Sequence, residues 1–125
     1  MIVAEIAAAV DAPLHLPLPA SPRLAELARS LIARPDDPRG LDAWARGAAM
    51  STRSFTRRFR AETGLPFAAW RAQLRMLLAI ERIAGGASIT AIAGELGYST
   101  PSAFSAAFRR VFGTPPHHFA PRTRR

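Results

Sequence analysis

Cysteine and lysine are both absent from this 125-residue chain. Without cysteine there is no disulfide, no thiolate nucleophile and no cysteine-ligated metal, a composition that fits a reducing cytosol. No apolar run approaches the roughly 18–20 residues that a membrane-spanning helix needs. The opening MIVAEIAAAV contains Glu5 and lacks a basic flank, so it is not expected to be a signal peptide. Apolar residues still make up 49% of the chain, which favours a cytoplasmic globular protein over a disordered one.

Arginine supplies all 17 of the Lys and Arg residues, and its distribution along the chain is uneven. Residues 1–50 hold five arginines and six acidic residues, net −1, whereas residues 51–125 hold twelve arginines and three acidic residues, net +9. A positive charge concentrated in one part of a chain favours a polyanionic partner. Charge alone does not separate a nucleic-acid-binding protein from one with an arginine-rich solvated surface.

The first part of the chain is rich in alanine and proline. PLHLPLPA has three prolines in eight residues and cannot lie inside a helix, so residues 1–20 are expected to be a linker or the remnant of an upstream sensor domain. In SPRLAELARSLIARP, Ser21 is placed as an N-cap and Pro22 as the first residue of a helix. Apolar residues follow at helical spacing as far as Pro35, which ends the helix.

A short helix, a tight turn and a second helix occur twice, in residues 41–64 and 89–113. The offset between the copies is 48 in the first helix and 49 after the turn, which indicates one inserted residue near Pro101. The second helices, SFTRRFRAETGLP and AFSAAFRRVFGTP, place Phe, Phe-Arg and Gly at the same offsets. Two matched copies are a stronger indication of helix-turn-helix units than a single helical hairpin. The matched apolar positions of the first helices are Leu41, Trp44, Ala45 and Ala48, then Ile89, Ile92, Ala93 and Leu96.

The ends of the second helices also match. Ser51-Thr52 and Ser99-Thr100 are each placed to cap a helix, and a glycine suited to a left-handed C-terminal stop follows each helix, at Gly64 and Gly113. The turns differ at one position. The second turn has Gly97, which suits a positive φ, whereas the first has Ala49, at a cost of about 1 kcal/mol if that conformation is kept.

Between the two copies, Pro66 is expected to start a long helix that runs to about Ala84 and stops at Gly85-Gly86. At about 100° per residue it is apolar on two opposite faces, which predicts a linker helix packed from both sides between two subdomains. One face carries Phe67, Trp70, Leu74, Leu77 and Leu78, and the opposite face carries Ala69, Ala72, Met76, Ile80 and Ile83. Arg71, Arg75 and Arg82 form a stripe between these faces.

In the first copy, placing the side chains of the second helix at about 100° per residue gives an aromatic side and an arginine-rich side. Phe55 and Phe59 are expected to anchor the helix, while the opposite face, with Arg53, Thr56, Arg57 and Arg60, is left open. An arginine fork matches the O6 and N7 atoms of guanine in the major groove. Arg53 and Arg57 are therefore candidates for reading bases, with Thr56 beside them; a solvated helix face is the alternative.

In the second copy Phe104, Phe108, Val111 and Phe112 are expected to be buried. The open face has smaller side chains, since Ser102 and Ala106 occupy the places of Arg53 and Arg57. Serine and alanine discriminate weakly between bases. We interpret the repeat as two similar readers of different bases; in the alternative, this face only approaches the DNA backbone, with arginines on phosphates. Arg109 completes the open face, with Ser105 at its edge, and the arginines on phosphates in the alternative are Arg109 and Arg110.

From Leu24 to Phe119 the chain resembles the AraC/XylS family of bacterial transcription regulators. The resemblance rests on LDAWARGAAMSTRSFTRRFRAETG, on the linker helix and on ITAIAGELGYSTPSAFSAAFRRVFGTPPHHF. It implies an all-α fold of about seven helices with two helix-turn-helix subdomains, at 21–65 and 87–125, joined by a linker helix at 66–86. Recognition helices at about 52–63 and 101–112 would then enter successive major grooves on one side of the duplex.

The resemblance also assigns site residues. The implied base readers are Arg53, Thr56, Arg57, Ser102, Ser105 and Ala106, and the expected phosphate contacts are Ser51, Arg58, Arg60, Thr100, Arg109 and Arg110. Departures from the family pattern are Ala49, Arg58 and Phe119, where glycine, an aliphatic residue and tyrosine are usual. Double-stranded DNA is the expected partner, with RNA polymerase as a further candidate; no cofactor, metal or membrane is expected, and the sensing domain of most members is absent from this chain.

Three other classes of function fit the sequence less well. The histidines are His15, His117 and His118. Catalysis has little support, because the adjacent pair His117-His118 has no acid nearby in sequence and no phosphate-binding glycine loop is present. A protein-interaction module that kept the fold but lost DNA reading is favoured slightly by the second copy. A basic amphipathic membrane helix is disfavoured because phenylalanines already anchor the arginine-bearing helices.

Overall fold

The structure, a computed structural model, describes residues 15–119, and the regular secondary structure in that range is entirely helical. Six α-helices and a closing 3-10 helix follow one another, which confirms the predicted all-α fold. No helix in this range is long and apolar enough to cross a membrane. The predictions for MIVAEIAAAV and for the basic tail lie outside the described residues. The helices are α1 Pro22–Ala33, α2 Leu41–Gly47, α3 Thr52–Thr63, α4 Phe67–Ala84, α5 Ile89–Glu95, α6 Pro101–Phe112 and the 3-10 helix Pro116–Phe119.

The chain divides into two compact units, which we call the first unit (Leu16–Leu74) and the second unit, which includes Arg75–Arg125. The first unit contains α1, α2, α3 and the beginning of α4. The second contains the rest of α4, α5, α6 and the 3-10 helix. Each unit therefore holds one of the two repeated helix pairs together with a helix that precedes the pair.

The core of the first unit is built around aromatic rings. Phe55 and Phe59 of α3 are fully buried, and each meets the ring of Phe67 edge-on at 5.2 Å between centroids. Trp70 is also fully buried and lies 5.5 Å from Phe59. Edge-to-face pairs add to the stabilisation from buried apolar area, so α3 is held firmly by one side. The other buried apolar residues here include Leu24, Leu27, Ala28, Leu31, Trp44, Ala45 and Ala48.

The second unit has a separate core. Phe104 and Phe108 of α6 are fully buried, and the rings of Phe112 and Phe119 lie 4.5 Å and 5.6 Å from Phe108. This aromatic group closes the core at the end of α6. The buried residues of the cluster are Met76, Ala79, Ile80, Ile83, Ile92, Ala93, Leu96, Phe104 and Phe108.

The prediction for α4 is right about its two buried sides and wrong about their extent. Phe67 is buried in the first half of the helix and Met76 in the second, and their spacing of nine residues places them on opposite faces, as expected. Each face is used over only part of the helix, however. Ala72 is exposed, and Leu78, which was placed on the face of Trp70, packs against the second core. Each half of the helix packs within its own unit, so a face that is buried at one end is not buried along the whole length.

Two further burial predictions were wrong. Leu41 is 38% exposed because it stands at the first position of the short helix α2, before the packed residues Trp44 and Ala45. Val111 is 46% exposed. The rings of Phe112 and Phe119 pack around Phe108 instead, so that end of the core is closed without the valine side chain.

Residues 16–20, which precede α1, have no regular secondary structure and pack within the first unit. The indole N–H of Trp70 donates to the carbonyl of Pro17 at 2.6 Å, and Pro19 is buried. Ser21 occupies the predicted N-cap position with extended backbone, yet its hydroxyl makes no cap hydrogen bond. It donates instead to the Glu62 carboxylate at 3.1 Å. Ser21 therefore ties the start of α1 to α3, a role that the capping rule does not predict.

Candidate nucleic-acid interface

α3 begins and ends at the capping residue and the glycine that the sequence predicted. The Ser51 hydroxyl oxygen accepts from the backbone N–H of Ser54 at 3.1 Å, which caps the N-terminus. Gly64 ends the helix in the left-handed conformation with φ 83°, and its N–H donates to the carbonyl of Arg60 at 2.7 Å. Both predictions are confirmed, and the Ser51 hydroxyl hydrogen is still able to donate to a ligand.

The surface of α3 opposite its phenylalanines is exposed and basic. We call this the first reading face and define it by Arg53, Thr56, Arg57 and Arg60, all four of which are exposed. None of its three arginines forms an ion pair with a residue in the range 15–119. Because the opposite side of the helix is fully buried, the charges are presented outward on a fixed support.

Arg58 differs from these arginines. Its Nε donates to Glu62 Oε2 at 3.2 Å, one turn further along α3. Glu62 Oε1 also accepts the backbone N–H groups of Ala20 and Ser21, at 3.0 Å and 2.9 Å. Burial by itself raises the pKa of Glu62, but the hydrogen bonds from Ser21, Arg58 and Ala20 outweigh it and leave the pKa below its usual value. The carboxylate therefore stays ionised, and a phosphate contact of Arg58 must use its terminal nitrogens.

The second helix pair repeats this construction in α6. Thr100 caps the helix by accepting from the N–H of Ala103 at 3.0 Å, Pro101 occupies the first position, and Gly113 ends the helix with φ 78°. We call Ser102, Ala106 and Arg109 the second reading face; all three are exposed, and Ser105 at its edge is half-buried. The predicted face is present, and it carries far less charge than the first.

The two turns differ in length by one residue, and the structure identifies the inserted residue. Met50 N–H donates to the carbonyl of Ala45, and Tyr98 N–H to that of Ala93, both at 2.9 Å, so Met50 and Tyr98 are equivalent at an offset of 48. The caps Ser51 and Thr100 are equivalent at an offset of 49. The extra residue is therefore Ser99, directly before the cap Thr100 and near Pro101 as predicted.

The sequence did not predict the role of some residues that position α3. Thr52 donates to the carboxylate of Asp42 at 2.7 Å, which ties the first residue of α3 to α2. Arg23 of α1 donates to the carbonyl of Ala48 at 3.0 Å and so contacts the end of α2. Asp42 and Thr52 have no counterparts in the second pair, where Thr90 and Pro101 stand, so comparison of the copies could not reveal the first bond.

The arginine stripe predicted along α4 is used for internal contacts in the first unit. Arg71 donates to the carbonyls of Asp37 at 2.7 Å and Arg39 at 3.1 Å, and so holds the loop between α1 and α2. The indole N–H of Trp44 donates to the same Arg39 carbonyl at 3.1 Å. In the second unit, Arg82 pairs with Glu95 at 2.7 Å.

The histidines do not form a metal or catalytic cluster within the described range. His117 and His118 are exposed on the 3-10 helix, with ring centroids 4.7 Å apart. Between residues 15 and 119 no three His, Cys, Asp or Glu side chains lie close enough together to hold a metal ion. The described histidines are therefore not assigned a site.

Comparison with known proteins identifies this arrangement. Residues 44–122 match the model of a family described as helix-turn-helix domain. The chain belongs to the AraC-type helix-turn-helix family. It is 32% identical over 109 residues to the HTH-type transcriptional regulator NimR of Escherichia coli K12. The relatives are transcriptional regulators, which agrees with the expectation that the chain is not an enzyme.

Solved structures place the AraC-type domain in the same fold. The DNA-binding domain of the global transcriptional factor AdpA, solved in complex with a target DNA, matches 80% of this chain and 90% of its own, at 30% identity and a TM-score of 0.73. An AraC-type DNA-binding protein of Chromobacterium violaceum matches 78% of this chain and 88% of its own, at 25% identity and a TM-score of 0.69. The chain spans 40% of the length of NimR.

Proposed function

We propose that this AraC-type domain binds double-stranded DNA with sequence preference and is the DNA-binding part of a transcriptional regulator. The observation that carries the proposal is the first reading face. Three arginines and a threonine are exposed there on a helix whose two phenylalanines, on the other side, are completely buried. The match to the AdpA domain, which was solved with a target DNA, supports the same conclusion.

The base-reading role falls to residues near the start of each recognition helix. In α3 these are Arg53, Thr56 and Arg57, whose guanidinium groups suit guanine in the major groove. In α6 they are Ser102, Ser105 and Ala106, whose small side chains suit contact with a thymine methyl group or close approach of the helix.

The phosphate-binding role falls to side chains around the two helices. The guanidinium groups of Arg58, Arg60, Arg109 and Arg110 carry the charge that neutralises phosphates. The cap hydroxyls of Ser51 and Thr100 accept backbone N–H groups and keep a hydrogen to donate. These contacts fix the register of the domain on DNA without reading bases.

The proposed organisation follows the boundaries predicted from the sequence. Residues 21–65 and 87–125 form the two reading subdomains and residues 66–86 form the linker helix, with each recognition helix in its own major groove. Residues 1–20 connect to a sensing domain in a longer regulator, as the greater length of NimR suggests. Such a regulator acts in the cytoplasm, with RNA polymerase as a second macromolecular partner.

Selection from random-sequence duplexes with the purified chain tests the proposal. We expect enrichment of a bipartite site whose more sharply defined half is read by α3. Affinity for the enriched duplex should fall steeply with salt, since bound phosphates release counterions. Recovery of no preferred sequence, with equal affinity for all duplexes, would reject sequence-specific binding.

One observation favours the alternative, a protein-interaction module that no longer reads DNA. The second reading face has serine and alanine where the first has arginine. A module of that kind would bind duplex DNA weakly and with the same affinity whatever the sequence. The same selection therefore separates the two functions.

A further inference from the structure

The internal repeat extends further than the two helix pairs. Within the first unit, α1 buries Leu24, Leu27, Ala28 and Leu31; within the second, α4 buries Met76, Ala79, Ile80 and Ile83. The four positions match at a constant offset of 52. Each unit is thus a three-helix repeat, and the arginine that precedes the first buried residue is Arg23 in one unit and Arg75 in the other.

These two equivalent arginines have different surroundings. The guanidinium of Arg23 donates to the Ala48 carbonyl at 3.0 Å. Arg75 instead lies against the turn residue Tyr98, with its guanidinium carbon 5.5 Å from the ring centroid. Its Nε–H is enclosed and has no acceptor among the described residues. No carboxylate in that range forms an ion pair with Arg75, so the cation has donors to spare.

A second cation, Arg110, acts electrostatically on the same phenol. Arg110 follows Ala106 by one turn of α6 and therefore stands beside the second reading face. Burial raises the pKa of Tyr98, while the positive charge of Arg75, a hydrogen bond from Arg75 and the positive charge of Arg110 oppose that rise. The phenol is therefore protonated at neutral pH and can donate a hydrogen bond. The described acids of the second unit are Glu81 and Glu95, and Glu95 is already paired with Arg82.

Two arginines and a phenol thus converge beside α6 without a described counter-anion. Guanidinium groups and a hydroxyl are the donors that bind phosphate oxygens most effectively. We propose that Arg75, Tyr98 and Arg110 together bind one phosphate group of the DNA backbone at the edge of the second reading face. This inference rests on the proposed function and adds Arg75 and Tyr98 to the residues that contact DNA.

The first unit does not repeat this set of donors. Met50 stands at the position of Tyr98, Ala61 at that of Arg110, and Arg23 is bound to a backbone carbonyl. The phosphate site is therefore specific to the second unit. It provides there the affinity that the arginines of α3 supply in the first unit, and it allows the second reading face to carry small side chains.

The first test measures DNA affinity by fluorescence anisotropy at several salt concentrations, with the duplex selected above and a scrambled duplex. Arg75→Gln should weaken binding to both by roughly ten-fold, as expected for loss of a charged hydrogen bond. It should also reduce the slope of log affinity against log salt by about 0.9, as expected for one phosphate contact. Tyr98→Phe keeps the ring and should weaken both complexes with little change in slope. Arg29→Gln is the control, because it removes the same single positive charge at an exposed arginine that is paired with Glu26.

The second test locates the contact. Each phosphate of the selected duplex is replaced in turn by an uncharged methylphosphonate. Wild-type protein should lose affinity at a position beside the half-site of α6, and Arg75→Gln should be insensitive to replacement at that same position. If Arg75 only supported the fold, the penalty at every position would be the same in both proteins.

The outcomes separate the two proposals. If the wild-type chain shows no preference for any duplex, the proposed function fails. If it binds the selected duplex, but Arg75→Gln and Tyr98→Phe match Arg29→Gln in affinity and slope, the phosphate site is wrong and the function stands. Circular dichroism checks that each variant is folded. If Arg75→Gln is not, Tyr98→Phe and Arg110→Gln decide the question by the same affinity and methylphosphonate measurements.

Discussion

Ala49 and Gly97 adopt the same left-handed backbone conformation, with φ of 60° and 90°, at equivalent steps of the two turns. Among the described non-glycine residues only Ala49 has a positive φ. The Cβ atom of an L-residue is crowded in this conformation, whereas glycine enters it freely. The fold has therefore kept the turn geometry in the first unit without the residue that suits it.

Replacing Ala49 with glycine should stabilise the first unit by about 0.5–1 kcal/mol, because strain in the turn is relieved. The reciprocal change Gly97→Ala should destabilise the second unit by a similar amount. Urea denaturation measures both, as shifts of the midpoint at an unchanged m-value. If Ala49→Gly lowers the midpoint, strain at that residue is not what limits the turn.

Local sequence rules predicted much of this fold. Ser51 and Thr100 cap their helices, Gly64 and Gly113 stop them, and Ala49 is the strained turn residue that its mismatch with glycine predicted. Each of these features is decided by a few neighbouring residues and by backbone geometry. The exposed reading faces follow equally directly from helical periodicity and two buried phenylalanines in each helix.

Other features depend on residues far apart in the chain, and the sequence could not reveal them. Ser21 and Glu62, which form a hydrogen bond, are 41 residues apart. The three-helix repeat was missed because its first helix is offset by 52 residues rather than 48, across loops of unequal length. Its buried side chains also changed, as from Leu24 to Met76. The same four positions are buried in both helices, although the residues at these positions differ.

Substitution of Glu62 is expected to destabilise the first unit more than substitution of most of its other polar residues. Its carboxylate accepts two backbone N–H groups and the Ser21 hydroxyl, and it is only 16% exposed. Glu62→Gln keeps the shape but replaces a charged acceptor with a neutral one, so we expect a loss of about 1–3 kcal/mol in the free energy of unfolding.

The ion pair with Arg58 is the control for this prediction. The Arg58 side chain is 58% exposed, and exposed pairs contribute at most about 1 kcal/mol. Arg58→Gln should therefore have a smaller effect than Glu62→Gln in the same urea titration. Equal effects would mean that the ion pair, rather than the bonds to the chain before α1, dominates the contribution of Glu62.

Acid should weaken the loop between α1 and α2. Arg39 donates to the Asp37 carboxylate through its side chain and its backbone N–H, and these bonds lower the pKa of Asp37 from 3.8 to about 2. A lowered pKa in the folded state stabilises the protein above the unfolded value, and this stabilisation is lost as the pH falls from about 4 to about 2. Asp37→Asn removes the effect. Urea midpoints of the two proteins should differ above pH 4 and converge towards pH 2; a constant difference would contradict the assignment.

The roles proposed for the reading faces can be separated by comparing specific with random DNA. Arg53→Ala and Arg57→Ala should each cost about 1–3 kcal/mol on the selected duplex, because an arginine–guanine pair is lost and preference relaxes at one base pair. Arg109→Ala should instead weaken selected and random duplexes equally and reduce the salt slope by about 0.9, as loss of a phosphate contact requires. Arg46→Ala, at an exposed arginine in the last turn of α2, is the control for removal of one charge. If Arg53→Ala and Arg109→Ala lose the same affinity on both duplexes, α3 does not read bases through Arg53, and its charge acts on the DNA backbone alone.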